Sequence, residues 1–251
     1  MFTEEQFQAA LARPRLRQPL PEYVGANRGE RVRVIPEDEL TAMTSRWFAD
    51  FERKLAFCGK KMGEDLSWLM VWAKKYWWSW QARDMSLNHE LYADDLRYKD
   101  PTTFGRTMVG LDEFVRYNFA YFAAIPDWRY DPLPDQVYVD FTPGGELRLV
   151  VRYLGSGHWE GPLKVHPFDD SAPALVGNGT FVQCAAVDRY HFNADGLMYE
   201  GETLFDVFEA TQSVGLLPGP ASWQFRTLLR GAGLATAAGT TLRRVIRLGR
   251  P

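Results

Sequence analysis

Apolar residues recur at helical spacing through the first half of this chain and alternate through most of the second. Leu40, Met43, Trp47, Phe51 and Leu55 fall three and four residues apart, which predicts an amphipathic helix. It should begin after Pro36, where Glu37, Asp38 and Glu39 suit the positive end of a helix dipole, and stop near Gly59. A second helix is expected over about 64–85, with Leu69, Ala73, Tyr76, Trp77 and Trp80 as its apolar stripe and Lys74, Lys75 and Ser79 off it. Upstream, Thr3 and Gln6 form a capping box ahead of Phe7, Ala10 and Leu11, a short helix ended by Pro14, Pro19 and Pro21. Leu111, Phe114, Val115, Phe119 and Phe122 predict one more helix, halted before Pro126.

Ala93-Asp94-Asp95 reads as the end of a short helix, followed by a strand that places Leu96, Tyr98 and Asp100 on one face and Arg97 and Lys99 on the other. Segments 128–130, 136–141, 147–154, 180–192 and 198–205 have strand composition. Pro143-Gly144-Gly145 and Asn193-Ala194-Asp195-Gly196 look like hairpin turns between them. The long connection 155–179 suits a lid or pocket rim. Helices first and an antiparallel sheet afterwards define an α+β domain over 62–212, preceded by a helical extension, 1–61. The remainder, 213–251, is a basic tail: after Glu209 there is no acidic residue, while Arg226, Arg230, Arg243, Arg244, Arg247 and Arg250 accumulate. Ser222 and Thr240 as caps, with Gly231 and Gly233 between, predict two short helices there. Such a tail can meet anionic lipid or an acidic partner, or can dock on its own domain with arginines solvated or paired with Asp169 and Asp170. Its apolar positions favour docking.

Composition narrows the function classes. At 251 residues and a net charge of −3, nothing draws the whole chain to nucleic acid, and no apolar run approaches the ~20 residues of a membrane span. Two cysteines, Cys58 and Cys184, make no disulfide framework, and the opening residues lack a secretory signal pattern, so a reduced cytoplasmic setting is expected. His89 and His191 are isolated, and His158 with His166 lacks a ligand spacing, so no metal is expected. No glycine-rich phosphate loop follows a strand, and no nucleotide cofactor is expected either. The supply of 9 Trp, 11 Tyr and 16 Phe can fill a core or line a pocket for a flat apolar ligand.

Three polar residues on apolar faces stand out. Strand alternation puts Asp188 with Cys184, Ala186, Tyr190 and Phe192, where burial favours a neutral carboxyl able to donate; it can equally cap a loop or pair with an arginine. Asp100 can serve as a base, although Asp before Pro is also a common turn cap. Tyr76 either donates into a pocket or is core. Glu200 and Glu202 share a parity and are proton carriers or solvated edge residues.

The order Tyr92-Ala93-Asp94-Asp95, Asp100-Pro101, Gly110, then Asp188 before a turn with Asp195-Gly196 resembles the nuclear transport factor 2-like superfamily, over roughly 62–212. Its SnoaL-like polyketide cyclases and ketosteroid isomerases are the nearest resemblance. Tyr76 precedes Asp100 by the spacing at which the isomerases' oxyanion tyrosine precedes their general base. The stretch Val187-Asp188-Arg189-Tyr190-His191-Phe192 is similar to their strand bearing a protonated aspartic acid. His158 in Gly157-His158-Trp159 resembles a strand-end histidine near the SnoaL-like pocket. The resemblance implies a cone-shaped curved sheet around an apolar pocket, a homodimer or homotrimer, and no cofactor. It implies Tyr76, Asp100 and Asp188 as catalytic residues, with Trp77, Trp80, Tyr98, His158 and Tyr190 contacting a hydrophobic small molecule. The expected activity is that of an isomerase or lyase acting on an oxygenated aromatic or polycyclic compound; the alternative is a non-catalytic ligand-binding or assembly protein.

Overall fold

The structure is a computed structural model that describes residues 2–25, 31–164, 169, 171, 173–219 and 221–248, the last helix with side chains through residue 234 and at 236. His166 and Asp170 lie outside the described residues. Helix α1 (Glu4–Ala12) opens with the expected reciprocal cap between Thr3 and Gln6. A short hairpin, β1 (Tyr23–Gly25) and β2 (Arg31–Arg33), leads to α2 (Glu37–Met62). This helix passes Gly59 and ends one turn later, because Gly63 at φ 73° supplies the left-handed cap and returns its N–H to Gly59 O. α3 (Ser67–Ala82) and α4 (Asn88–Leu91) follow.

β3 (Tyr92–Lys99) contains Ala93-Asp94-Asp95, which the sequence reading had placed in a helix. Both aspartates are exposed while Ala93 and Leu96 are buried, and the irregular pattern accompanies a register shift opposite Met198 and Glu200. β4 (Thr107–Val109) and α5 (Leu111–Ala124) come next. β5 (Arg129–Phe141) is one strand where two were expected: a register shift between Pro132 and Val137, with Asp135 at φ 59°, absorbs the turn-like residues. β6 (Leu147–Trp159) runs five residues beyond its predicted end. The glycines that suggested a loop are demanded by packing: a Cβ on Gly155 would lie 2.1 Å from Trp128 Cη2. The rest of the connection carries a small pair, β7 (Leu163–Lys164) and β8 (Ala174–Leu175). β9 (Thr180–Phe192) and β10 (Met198–Phe205) have the bounds that alternation gave them.

The main sheet has six strands in the order β4-β3-β10-β9-β6-β5, antiparallel except where β10 lies parallel to β3. This is the expected α+β architecture. Its inner face, along Val182, Cys184, Ala186, Asp188, Tyr190 and Phe192 of β9, is covered by α3 and α5 and forms the main core with them. β5 is an edge strand, and α2 wraps it. Arg129 there pairs with Asp131 (2.8 Å) and with Glu37 at the start of α2 (2.7 Å), while Thr44 donates to Asp131 Oδ1 (2.8 Å). Arg129 and Asp131 are fully buried, so the N-terminal extension satisfies charges that the sheet edge could not leave bare.

After β10 come α6 (Val207–Ser213) and α7 (Trp223–Leu248). The tail thus holds one long helix in place of two short ones, Gly231 and Gly233 failing to break it. Nor does its described part dock on the domain: Trp223 is 71 % exposed and Leu234 73 %, with Leu228 and Leu229 also exposed. The side chains of Arg243, Arg244 and Arg247, and all of Arg250, lie outside the described residues, and the expected pairing with Asp169 and Asp170 falls there with them.

Candidate active site

Between the inner sheet face and helices α3, α5 and α6 lies a cavity of about 140 Å³. Tyr76 and Trp80 of α3 line it, as do Tyr117 and Tyr121 of α5, Tyr130 of β5, Tyr153 and Trp159 of β6 and Cys184, Ala186 and Asp188 of β9. Asp100 and Thr102 close one side, and the lining reaches the surface at Phe104 and along the segment from Val207 to Leu216, with Leu163 and Leu175 beside it. The connection after β6 therefore does supply a rim.

Asp188 is buried among apolar and tyrosyl side chains. Desolvation lifts its carboxyl to about 7, opposed by the hydroxyls of Tyr190, Thr203 and Tyr153 and reinforced by the nearby Asp100 charge. Oδ2 accepts from the Tyr190 hydroxyl at 2.5 Å, and Oδ1 has no hydrogen-bond partner among the described residues. The same Tyr190 hydroxyl is 2.9 Å from that of Tyr76. Counting protons gives this chain its chemistry. With Asp188 neutral, Tyr76, Tyr190 and Asp188 hold three protons and make two internal contacts, so one proton faces the cavity, from Tyr76 or from Asp188 Oδ1. With Asp188 ionised, both remaining protons are used internally and none is left to offer. Tyr76 and Asp188 therefore share one outward proton, whereas the resemblance implied two independent donors. The Tyr76 phenol itself stays protonated, since burial raises it well above its ordinary value.

Asp100 follows the last residue of β3 and caps a 3-10 turn, Pro101–Thr103, its Oδ1 accepting from Thr102 N (2.8 Å) and Thr102 Oγ1 (2.6 Å). It thus has the turn role that Asp-Pro suggested, and it lines the cavity as well. Burial raises its carboxyl while the Thr102 bonds pull it back toward the ionised form. The two acids differ in what holds them: Asp100 Oδ1 accepts two hydrogen bonds from Thr102, whereas Asp188 is bonded by Tyr190, with the Thr203 and Tyr153 hydroxyls close enough to favour its ionised form.

Of the residues expected to contact substrate, Trp80 and Tyr98 line the cavity, Tyr98 with its hydroxyl 2.7 Å from Thr203 Oγ1. Trp77 does not. It points to α1 and α2, against Phe7 and Phe48, and donates Nε1 to Tyr130 O at 2.9 Å. His158 falls on the opposite parity of β6 from Tyr153 and Trp159, so it leaves the cavity and pairs with Asp127 (2.6 Å) beside the Phe181 ring. Tyr190 sits behind the lining as the bridge described above. Glu200 and Glu202 face outward, both 3.1 Å from Arg189, too far round the sheet to carry protons in the cavity. Tyr117, Tyr121, Tyr130, Tyr153, Thr203 and Trp159 were not singled out from the sequence. Strand parity with Val151 flags Tyr153, and the four-residue interval between Tyr117 and Tyr121 flags that pair. Burial lifts the Cys184 thiol to about 12, leaving it an inert part of the wall. Among the described residues no three His, Cys, Asp or Glu side chains gather as metal ligands.

A largely antiparallel sheet with helices packed over an apolar cavity that holds two buried carboxyl groups is an α+β architecture. The sequence model of the SnoaL-like domain matches residues 73–201, and the chain belongs to that family. No curated protein matches the chain. Similar solved structures include a SnoaL-like polyketide cyclase candidate from a Jannaschia species, 18% identical over 56% of this chain and 85% of its own, with a TM-score of 0.44. Another is TsrD from Streptomyces laurentii, 14% identical over 61% of this chain and 98% of its own, at 0.48. A third is a nuclear transport factor 2-like protein of unknown function from Burkholderia pseudomallei, 18% identical over 58% and 96%, at 0.42.

Proposed function

We propose that this protein is a cofactor-independent acid-base enzyme, an isomerase or lyase, for a hydrophobic oxygenated small molecule. The outward proton of the Tyr76–Tyr190–Asp188 chain receives the substrate oxygen, and Asp100 takes a proton from the adjacent carbon. The observation that carries this reading is the unpartnered Asp188 Oδ1, buried in an apolar cavity that also holds a second carboxylate. A buried carboxyl oxygen without a partner is costly unless the group stays neutral or that oxygen meets a ligand. Negative charge growing on the substrate oxygen would be stabilised by a donor already in place, and a base beside the bound carbon acid then has a smaller barrier to cross.

The cavity volume, about 140 Å³, matches the ~150 Å³ in which a single aromatic ring has been accommodated in an engineered protein cavity. One ring fits the closed part, and the remainder of an aromatic or polycyclic substrate would extend toward α6. Trp159 Nε1, buried without a partner among the described residues, offers a second point for a substrate oxygen. We take the protein to work in the cytoplasm as a homodimer or homotrimer, without nucleic acid.

The double engagement of Asp100 by Thr102 favours a second reading, in which Asp100 is only a cap and the cavity binds without reacting. Proton exchange decides between them. Single-ring cyclic ketones in D₂O should exchange their α-hydrogens faster with the protein present. Asp100→Ala should lower that rate by about 10²–10⁴-fold while keeping ketone affinity. Exchange unchanged in Asp100→Ala would remove Asp100 as the base, and exchange absent in the parent protein would leave the binding reading.

A further inference from the structure

The cavity mouth is ringed by apolar side chains that water covers poorly. Phe104 after the 3-10 turn is 61 % exposed, Val207 and Leu216 around α6 are exposed too, and Phe208, next to Val207 in the chain, is 63 % exposed. Phe104, Val207 and Leu216 also line the cavity, so the patch and the opening are one surface built from two separate segments. An exposed apolar rim round a cavity opening is a candidate docking site.

What covers it is indicated by the chain that continues from it. Seven residues after Leu216 begins α7, whose Phe225, Leu228, Leu229 and Ala232 recur at helical spacing as an apolar stripe. Arg226 and Arg230, exposed and one turn apart, flank that stripe beside the exposed Trp223. From Ala210 to the last residue the sequence has six arginines and no acid, so this end of the molecule is strongly positive although the whole chain carries −3. Two acids lie on the α6 side of the rim, Asp206 and Glu209, and Asp206 caps α6 by accepting from Glu209 N.

We infer that the cavity mouth and α7 seat together on an anionic lipid surface, with the opening turned toward the acyl region. An apolar stripe with tryptophan and flanking arginines is the composition of a helix that lies in the interface plane. Among the described residues no helix is long and apolar enough to cross a membrane. A second copy of this chain is a poor occupant, because two surfaces of the same arginine excess repel. Nucleic acid would satisfy the arginines and leave the phenylalanine rim unmatched. A lipid surface satisfies both, and a lipophilic molecule could then enter the cavity without crossing water. Docking does not depend on what the cavity does to its ligand, and its test reads binding alone.

The test is co-sedimentation of the full-length protein with vesicles of phosphatidylcholine alone or mixed with phosphatidylglycerol. The protein should bind the mixed vesicles, weakly or not at all the neutral ones, and release as salt rises. The double substitution Arg226→Gln with Arg230→Gln should weaken binding roughly thirtyfold, about fivefold for each arginine. Phe104→Ser with Phe208→Ser should also weaken binding several-fold, with an unchanged circular dichroism spectrum. Binding that responds to the arginines and ignores the two phenylalanines would overturn the placement of the mouth. No binding to either vesicle at low salt would overturn the proposal altogether. So would a concentration-dependent dimer abolished by Leu228→Ser in a protein indifferent to lipid.

Discussion

The Tyr190 hydroxyl lies 2.5 Å from Asp188 Oδ2 and bridges that carboxyl to Tyr76, 2.9 Å away on α3. Its hydrogen bond lowers the Asp188 pKa, which burial otherwise lifts. Tyr190→Phe should therefore raise Asp188 above about 7 and free Tyr76 to donate to a ligand by itself. In this variant the pH profile of ligand affinity should lose its break, because Tyr76 keeps a proton to give at every pH, while the loss of stability that follows Asp188 ionisation should move to higher pH, with ring packing kept. A break that stays in place would show that the bridge does not control the carboxyl.

Stability should record the same proton. The folded protein keeps it up to about pH 7, while an unfolded aspartic acid releases it near 3.8, so between those values the native state binds more protons. The contribution is complete below the lower value and is lost as pH rises through the upper one. The stability of the parent protein relative to Asp188→Asn should fall across that window by a few kcal/mol and then level off. Urea midpoints of the two proteins measured through the window will read it; parallel profiles would contradict a buried, titrating Asp188.

The charged cluster at the β5 edge predicts an asymmetric result. Arg129→Met leaves the fully buried Asp131 without its cation and should cost about 3–5 kcal/mol in a urea titration. Adding Asp131→Leu should recover part of that loss, because the unpaired charge goes with it. If the double variant is less stable than the single one, the cluster does more than neutralise itself.

Gly155→Ala should destabilise by about 1–3 kcal/mol and shrink the cavity, since its Cβ would meet the Trp128 ring that forms the wall. Gly144→Ala, in the open β5–β6 turn, is the control, with its nearest atom 3.6 Å away. Equal melting temperatures for the two variants would mean that Trp128 moves freely.

Much of this was legible in the chain because period and burial agreed. The bounds of β9 and β10 followed from alternation between turn residues, and the same alternation aimed Asp188 inward. Tyr76 fell on the buried stripe of α3 for the same reason. Where glycine served packing, the reading stopped short: Gly155 and Gly157 looked like a loop because nothing local shows the Trp128 and Ile125 side chains that exclude a Cβ. Ala93-Asp94-Asp95 misled because two exposed aspartates suit a helix end as well as an edge of β3 beside a bulge. Parity separates the faces of a strand but not which inward residue reaches the cavity. Tyr190 became a bridge only through Tyr76, 114 residues away in sequence, and Trp77 turned to Phe7 on a helix its spacing could not connect it to.

The proton count in the Tyr76–Tyr190–Asp188 chain is tested most directly by the affinity of a neutral single-ring cyclic ketone, measured by calorimetry from about pH 5 to about pH 9. Affinity should be level below about 7 and fall about tenfold per unit above it, as the one outward proton is lost. Asp188→Asn, whose amide always has a hydrogen to give, should bind with no such break, and Asp188→Leu should bind weakly throughout. A parent profile that stays flat to the alkaline end, or one whose break survives in Asp188→Asn, would contradict the account.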